Sequence, residues 1–408
     1  MFLKASSLTN AIFVCLMISI FSGCLVLISH YQNLLNSKLD FRETLINTNN
    51  ASFKYYAQNL NLLDYNMTSE IDLFDDDIIT YSTKKKWGFY DILSTKTIFK
   101  SDTIHNIGLI GSLNTDKNSP SLFVTDYDKP LKLSGNTKIS GTSKIPSGFI
   151  EQAYINGQTG NNTEVKGQLL SSEDKLPQLR LALDMDIASY QRLTIDQFKS
   201  NKIINSFDSE TIVIDVSNLS ELGDISIRGN IIIFSSGRLK ISNSAQLNDV
   251  VLIAKHVLIE QNFSGNLQII AKNSVTIDEN ALLKYPSSVS IENDQDSVKV
   301  HFKPSSRIAG GVILNGNTYK GSLKRKLIID ESAKIYGSVY CYGRTQLQGE
   351  VVGQLYTDRF FLKTQSSDYE NVILNGSVNG DSLPKNFVQL PLFNSRTSSS
   401  NYEIIKEF

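Results

Sequence analysis

The sequence predicts a mainly β protein with an N-terminal transmembrane helix, a helical stalk, a small β domain and then a parallel β-solenoid (β-helix). Three observations predict this fold class. Residues 11–29 form an uncharged apolar run, most of the chain consists of short β-branched runs separated by Gly, Asn and Ser, and part of it repeats every 18 residues. A chain of 408 residues is long enough for about two to three folding units.

The charge balance excludes one class of partner. The chain has 40 Lys+Arg and 41 Asp+Glu, a net charge of -1, so it lacks the basic excess that nucleic-acid-binding proteins use to contact phosphates. We therefore expect no nucleic-acid partner. Two of the three cysteines lie inside the apolar run, which leaves Cys341 alone in the body and excludes an intramolecular disulfide framework there.

The N-terminal 30 residues predict a membrane segment. A short tail, 1–10, precedes the apolar run 11–29, whose nineteen residues match the ~30 Å hydrocarbon thickness at about 1.5 Å per residue. Two alternatives are a lipoprotein signal with Cys24 as the acylated residue and a simple cleaved signal peptide. The apolar residues Leu25–Ile28 continue the run past Cys24, which favours a retained span over either form of cleavage.

Orientation follows from the layout around the span. The tail offers Lys4, and no charge appears on the other side until Lys38 and Arg42, so charge counting alone is nearly a tie. A short tail before a first apolar segment is typical of a signal anchor. We expect a single-pass protein with the lipid bilayer around residues 11–29 and its body outside the cytoplasm, in the periplasm or at the cell surface.

Residues 30–62 predict a helical stalk that continues the span. Residues 30–61 contain neither Pro nor Gly, and their apolar residues recur at loosely helical intervals. This layout of short tail, apolar helix and stalk resembles the N-terminus of PilX-like type IV pilin accessory proteins. The resemblance implies a pilin-like accessory subunit.

The rest of the chain predicts β structure. Residues 63–130 predict a small β-rich domain and residues 131–390 a β-solenoid, with a helical insertion near 181–200. Residues 391–408 predict a flexible tail, because the segment is Ser-rich, and its apolar end could cap the last turn of the solenoid.

The 18-residue repeat is the strongest indication of architecture. Ile241, Ile259 and Ile277 end three similar segments and are 18 residues apart each time. Units this short cannot bury an apolar face alone, so they must stack on one another. We expect the three isoleucines to form one internal column.

A second repetitive stretch follows at residues 335–355. Apolar residues alternate there with Gly337, Gly343, Gly349 and Gly353, and glycine tolerates the positive φ of tight corners. The stretch resembles the rhythm of bactofilins, which are polymer-forming bacterial β-helix proteins. That resemblance implies a structural protein of the cell envelope that associates with itself or with another protein.

A search for chemistry finds little. The four histidines lie at no metal-binding spacing, there is no Cys pair, and no P-loop, nucleophile elbow or dinucleotide motif opens a helix. We expect neither metal nor cofactor, and no enzymatic activity. The acidic run at 72–77 is interpreted as a solvated turn facing Lys84–Lys86 rather than a calcium site, and Lys324–Lys326 as a charged corner.

One pair of carboxylates supports an alternative. Asp184 and Asp186 would share one face of a strand and could act as the paired acids of a polysaccharide-degrading enzyme. The leading hypothesis remains a non-enzymatic structural or assembly protein of the bacterial envelope. A polysaccharide-binding or polysaccharide-degrading protein and a pilin-like accessory subunit are the alternatives, and a lateral cleft with grouped charged and aromatic side chains would favour the polysaccharide.

Overall fold

A computed structural model describes residues 5–113, 119–179, 187–294, 297–316, 318, 322–384, 387–390, 392–393 and 402–408. The fold is mainly β, with one long N-terminal helix. The chain divides into two compact units. The helical unit comprises Met1–Tyr56, Asn61–Thr83 and Ser94–Asn106, and the parallel unit comprises Ala57–Leu60, Lys84–Leu93 and Ile107–Phe408.

The predicted span and stalk form a single helix, α1, over Ala5–Gln58. An 18-residue window within it has a mean hydropathy of 2.8 and none of that window is buried. The helix is thus long and apolar enough to serve as a single-pass anchor or signal. Its C-terminal part is different, because Leu45, Phe53 and Tyr56 are buried.

The sheet strands next to α1 along the chain are β1 (Thr68–Ile71), β2 (Thr80–Trp87), β3 (Tyr90–Phe99) and β4 (Asp102–Ser112), and β2 to β4 contribute residues to both units. β1 runs antiparallel to β2. Two-residue turns join β2 to β3 and β3 to β4, which fits antiparallel hairpins. Within the helical unit, the amide of Asn49 on α1 donates to Thr97 Oγ1 at 2.9 Å, so this buried polar group is satisfied.

The parallel unit contains the remaining strands. The first group is β5 (Leu122–Val124), β6 (Leu131–Ser134), β7 (Lys138–Ser140), β8 (Ser143–Ile145), β9 (Ile150–Gln152), β10 (Glu164–Lys166) and β11 (Leu169–Ser171). The second is β12 (Gln191–Thr194), β13 (Lys202–Asn205), β14 (Ile212–Asp215), β15 (Glu221–Leu222), β16 (Ser226–Gly229), β17 (Ile231–Phe234), β18 (Arg238–Ile241), β19 (Gln246–Ile259), β20 (Ser264–Ile277), β21 (Leu282–Glu292), β22 (Val298–Phe302), β23 (Arg307–Asn315), β24 (Arg325–Ile329), β25 (Lys334–Leu347), β26 (Glu350–Lys363), β27 (Asp368–Glu370), β28 (Val372–Leu374) and β29 (Ser377–Asn379). The final strand is β30 (Tyr402–Glu407).

Nearly all of these strands pair in parallel and in register. The predicted isoleucine column is confirmed: Ile241 pairs with Ile259 and Ile259 with Ile277, and all three are fully buried. A second internal column joins one residue from each of ten strands through successive pairings: Leu193, Ile214, Ile233, Leu252, Ile269, Val289, Val312, Val339, Leu355 and Leu122. Apart from Leu193, which is half-buried, the residues of these columns belong to the main hydrophobic core of the unit.

Glycine makes the corners of this sheet possible. Gly337 and Gly353 have φ of +123° and +136°, and a Cβ at either position would overlap the carbonyl oxygen of the glycine paired with it, Gly310 and Gly337 respectively. The predicted corner role is thus correct for both. At Gly343 the constraint is space rather than a positive φ, because a Cβ there would come within 2.7 Å of the Arg325 backbone oxygen.

The order of strands in space differs from the order in sequence. β5 pairs with β26 and β7 with β29, so the first strands of the parallel unit stack on its last ones. β11, which pairs with β8, and β12, which pairs with β14, therefore lie at opposite ends of the stack. β30 pairs antiparallel with β4. The apolar end of the predicted tail is therefore a strand of the sheet that contains β1 to β4.

The structure differs from the sequence prediction near residues 181–200, where a helical insertion was expected. Residues 180–186 lie outside the described residues. The described remainder contains two 3-10 turns, Ile187–Ser189 and Ile195–Gln197, and strand β12. Parallel pairing of β12 with β14 outweighs the helical spacing of this segment, because tertiary pairing overrides a weak local preference.

Candidate functional site

The apolar surface of α1 is the first candidate site. Tyr31, Leu34, Leu35 and Leu39, which we call the α1 stripe, follow the span and have relative exposures of 45% to 64%. Residues three and four apart on a helix share a face. By this spacing, the stripe continues the face on which Leu45 is buried. The packing face of α1 therefore extends beyond the part that packs within the helical unit.

The charges around the α1 stripe are divided between two sides of the helix. Lys38 and Arg42 fall within the stripe by helical spacing, and Asp40 falls on the opposite side. Glu43 lies four residues after Leu39 and therefore at the edge of the stripe. All four residues are exposed. The stripe thus contains two basic residues, and the opposite side of the helix carries the acidic Asp40.

A cleft in the parallel unit is the second candidate site. Its volume is about 590 Å³, and its lining includes Tyr127, Asp174, Lys175, Tyr342 and Asp358. This volume lies within the range of about 300–1,000 Å³ typical of small-molecule sites. Charged and aromatic side chains are therefore grouped around one cleft.

The floor of the cleft contains a buried carboxylate. Asp358 is 1% exposed and accepts a hydrogen bond from the Tyr127 hydroxyl at 2.6 Å. The Arg359 guanidinium lies 4.3 Å from the centre of the Tyr127 ring and donates to Asp358. Burial, followed by the hydrogen bond to Asp358, raises the pKa of Tyr127 well above its usual value, so Tyr127 stays protonated as a donor.

Arg325 supports the cleft from beneath, and its position differs from the expected charged corner. Its side chain is fully buried and donates to the Asp294 carboxylate at 2.7 Å and to backbone oxygens of Tyr342, Asn293 and Thr318. Burial of a guanidinium is tolerated because these acceptors satisfy it. The run of three basic residues in the sequence gave no indication of this carbonyl-rich site.

Several cleft-lining residues belong to the segment after β11, residues 172–179. The Tyr340 hydroxyl donates to the Pro177 carbonyl oxygen at 3.1 Å, and Lys144 pairs with Glu173 at 2.8 Å. Leu176 and Leu179 pack on the outer aromatic cluster of the sheet. The segment is thus fixed at both its polar and its apolar side chains, and it holds Asp174 and Lys175 at the edge of the cleft.

The predicted paired carboxylates, Asp184 and Asp186, lie outside the described residues. The structure instead places Asp358 and Asp174 in the cleft, and sequence reasoning missed both. Tyr340 and Tyr342, two residues apart on β25, were the available signal, since alternate residues of a strand share a face. Asp358 carries no signal of a cleft because Tyr127, whose hydroxyl donates to it, is distant in sequence.

The other sequence candidates have structural contacts. His301 lies 2.7 Å from Asp330, and His256 lies 2.8 Å from Ser274. Asp72 accepts from the backbone N–H groups of Asp76 and Asp77. Of the lysines named with that acidic turn in the sequence, Lys84 donates to the Leu60 carbonyl oxygen and Lys86 pairs with Asp91. Within the described part of the chain, no group of three or more His, Cys, Asp or Glu side chains could hold a metal ion.

Ion pairs join neighbouring strands along the outside of the stack. Lys240 lies 3.2 Å from Glu221 and 2.6 Å from Glu260, on either side of it. The hydrogen bond from Lys240, with those from the Asn243 backbone and the Ser242 hydroxyl, lowers the pKa of Glu260 to about 2. Such exposed pairs are worth little individually, so they align the strands rather than supply the stability of the unit.

A more buried pair attaches the C-terminal strand to the stack. Lys406 on β30 contacts both carboxylate oxygens of Asp249 at 2.8 and 2.6 Å, and the Asp249 side chain is only 4% exposed. We expect Lys406→Met to lower the free energy of unfolding by about 1–3 kcal/mol, because it leaves a buried carboxylate without its main partner while Lys406 itself is partly exposed. Thermal denaturation measures this.

The matched control for that change is Lys255→Met, at an exposed lysine without an ion pair among the described residues. Its unfolding free energy should stay within about 0.5 kcal/mol of the wild type. Equal melting temperatures for Lys406→Met and Lys255→Met would show that the pair does not attach β30.

Comparisons with known proteins leave the family open. No family model matches the chain, and no curated protein matches it, so the bactofilin resemblance is not confirmed. One solved structure that matches is the crystal structure of competence-associated pilin ComZ from Thermus thermophilus, with 10% identity, a TM-score of 0.21, and coverage of 85% of this chain and 87% of that chain. At this TM-score the likeness carries no inference about the function of this chain.

Proposed function

We propose that this protein is a non-enzymatic assembly subunit of the bacterial envelope, anchored by α1 and carrying a β-solenoid outside the cytoplasm. The observation that carries the proposal is the α1 stripe, an exposed continuation of a face that is otherwise used for packing. The register of the parallel columns supports the solenoid. A pilin-like accessory subunit is the specific form of this function that a protruding apolar helix favours.

Burial of the exposed side chains of the α1 stripe would favour assembly. Full burial of a large apolar side chain contributes about 1.5–3 kcal/mol, and Leu34, Leu35 and Leu39 are all more than 40% exposed. A partner helix that covers them recovers part of this free energy. Anchoring in one membrane holds such helices parallel and close together, which reduces the entropic cost of association.

Charge complementarity favours a second copy of this chain as the partner. The basic residues of the stripe, Lys38 and Arg42, would meet Asp40 on the opposite side of a neighbouring α1. A contact between two different sides of the same helix is heterologous and leaves each copy free to bind another. This arrangement would build a ring or a filament rather than a two-fold dimer.

Charge reversal tests the proposal. We expect the full-length protein in lipid nanodiscs or mild detergent to form oligomers, and Lys38→Glu with Arg42→Glu to dissociate them because acidic residues then face Asp40. Adding Asp40→Lys to the same chain should restore association. Light scattering across a concentration series measures the oligomer, and carbonate-washed membranes should retain every variant.

The matched control reverses two exposed lysines of the parallel unit, Lys199→Glu and Lys202→Glu, and should leave the oligomer intact. A monomeric wild type, or dissociation that the compensating reversal does not repair, would refute the contact between copies. The non-enzymatic part is tested separately: release of sugar ends from a glycan panel, abolished by Asp184→Asn or Asp186→Asn, would refute it.

A further inference from the structure

We propose that the cleft of the parallel unit binds a neutral glycan segment. The cleft is distinct from the α1 stripe, and the proposal does not depend on assembly. It rests on three features of the cleft: side chains with unused hydrogen-bonding groups, rings held in fixed positions, and balanced charge.

Unused polar groups line the cleft. Asp174, Lys175, Gln178 and Asn315 all line it, and within the described residues none of these four side chains has a hydrogen bond or an ion pair. Together they offer a carboxylate acceptor, an ammonium donor and two amides that both donate and accept. Neighbouring sugar hydroxyls, each both donor and acceptor, match such a mixed set.

Two tyrosine rings that line the cleft are held by guanidinium groups. Arg359 lies over the ring of Tyr127 at 4.3 Å and Arg325 over the ring of Tyr342 at 4.9 Å, both measured to the ring centre. Arg325 is itself buried and hydrogen-bonded. The Tyr342 ring beside it therefore cannot rotate without disrupting the hydrogen bonds of Arg325. Fixed aromatic surfaces suit the C–H faces of pyranose rings, because little side-chain entropy is lost on binding.

The charges of the cleft cancel. Asp358 is compensated by Arg359, at 3.4 Å, and Asp174 is followed by Lys175 at the rim. A phosphate or a polyanion would find only one exposed cation among the described lining residues, Lys175. A neutral ligand avoids burying an uncompensated charge, so the balance favours a neutral glycan over an acidic one.

Binding is tested on the full-length protein in lipid nanodiscs, because maltoside detergents would themselves occupy a sugar site. The probes are cellotetraose, chitotetraose and a tetragalacturonide, titrated by calorimetry. We expect at least one of the two neutral oligosaccharides to bind with a dissociation constant of about 1 mM or tighter. Asp174→Ala with Gln178→Ala should weaken that binding about tenfold or more.

The control pair, Asp196→Ala with Gln191→Ala, changes exposed residues of the same types at the far end of the stack and should leave the affinity unchanged. Absence of binding by all three probes, binding of the tetragalacturonide alone, or equal affinity in wild type and the cleft variant would each overturn the proposal. None of these results bears on oligomer formation through α1, which is measured independently.

Discussion

Ile259→Asp is expected to unfold the parallel unit. Ile259 is fully buried between Ile241 and Ile277, the residues paired with it on the two neighbouring strands. Loss of a buried isoleucine side chain costs about 2–5 kcal/mol, and the carboxylate that replaces it has no partner in an all-apolar column, which costs several more. The total approaches the whole stability of a typical domain, about 5–15 kcal/mol.

Thermal denaturation followed by circular dichroism measures this effect. Lys255→Asp introduces the same carboxylate on the same strand at an exposed position, and its unfolding free energy should change by no more than about 0.5 kcal/mol. Similar melting temperatures for the two variants would show that Ile259 does not face the interior, and with it the 18-residue register would be wrong.

Gly337→Val is the second change with a large expected effect. The φ of +123° at Gly337 disfavours any residue with a Cβ, and the added atom would overlap the carbonyl oxygen of Gly310 on the paired strand. Backbone strain of about 1–3 kcal/mol and overpacking of about 1–3 kcal/mol act together. We expect a loss of about 2–6 kcal/mol in the free energy of unfolding, measured by chemical denaturation.

Gly237→Val is the matched control, since a Cβ at Gly237 meets no atom within 4 Å and its φ is not positive. This variant should fold normally. If Gly337→Val were as stable as Gly237→Val, the close approach of β23 and β25 at Gly310 and Gly337 would not exist.

The sequence predicted strand pairing correctly where residues of the same type recur at a fixed interval. Ile241, Ile259 and Ile277 revealed their register because adjacent strands there are one 18-residue repeat apart. The pairing of β5 with β26 could not be predicted in this way. Its partners, such as Leu122 and Leu355, are more than 200 positions apart in the sequence, and a three-residue strand carries no periodicity that could specify so distant a partner.

The two candidate sites also differ in how far the sequence predicts them. The apolar character of α1 was evident because a helix is local, and its face can be read from spacing alone. The cleft was not evident, because Tyr127, Asp174, Asn315 and Asp358 converge only through the stacking of distant segments. Arg325 was misassigned for the related reason that the carbonyl groups which satisfy it leave no trace in side-chain patterns.

The stacking of the first strands on the last ones has a consequence for biosynthesis. Residues 122–171 emerge from the ribosome early, but β5 and β7 find their partners on β26 and β29 only after residue 379 has been made. β4 must likewise wait for β30, the last strand of the chain. Nascent chains therefore carry unpaired strand edges for most of translation, which exposes them to aggregation. A premature stop after β25 would remove β26 and β29, the strands on which β5 and β7 stack.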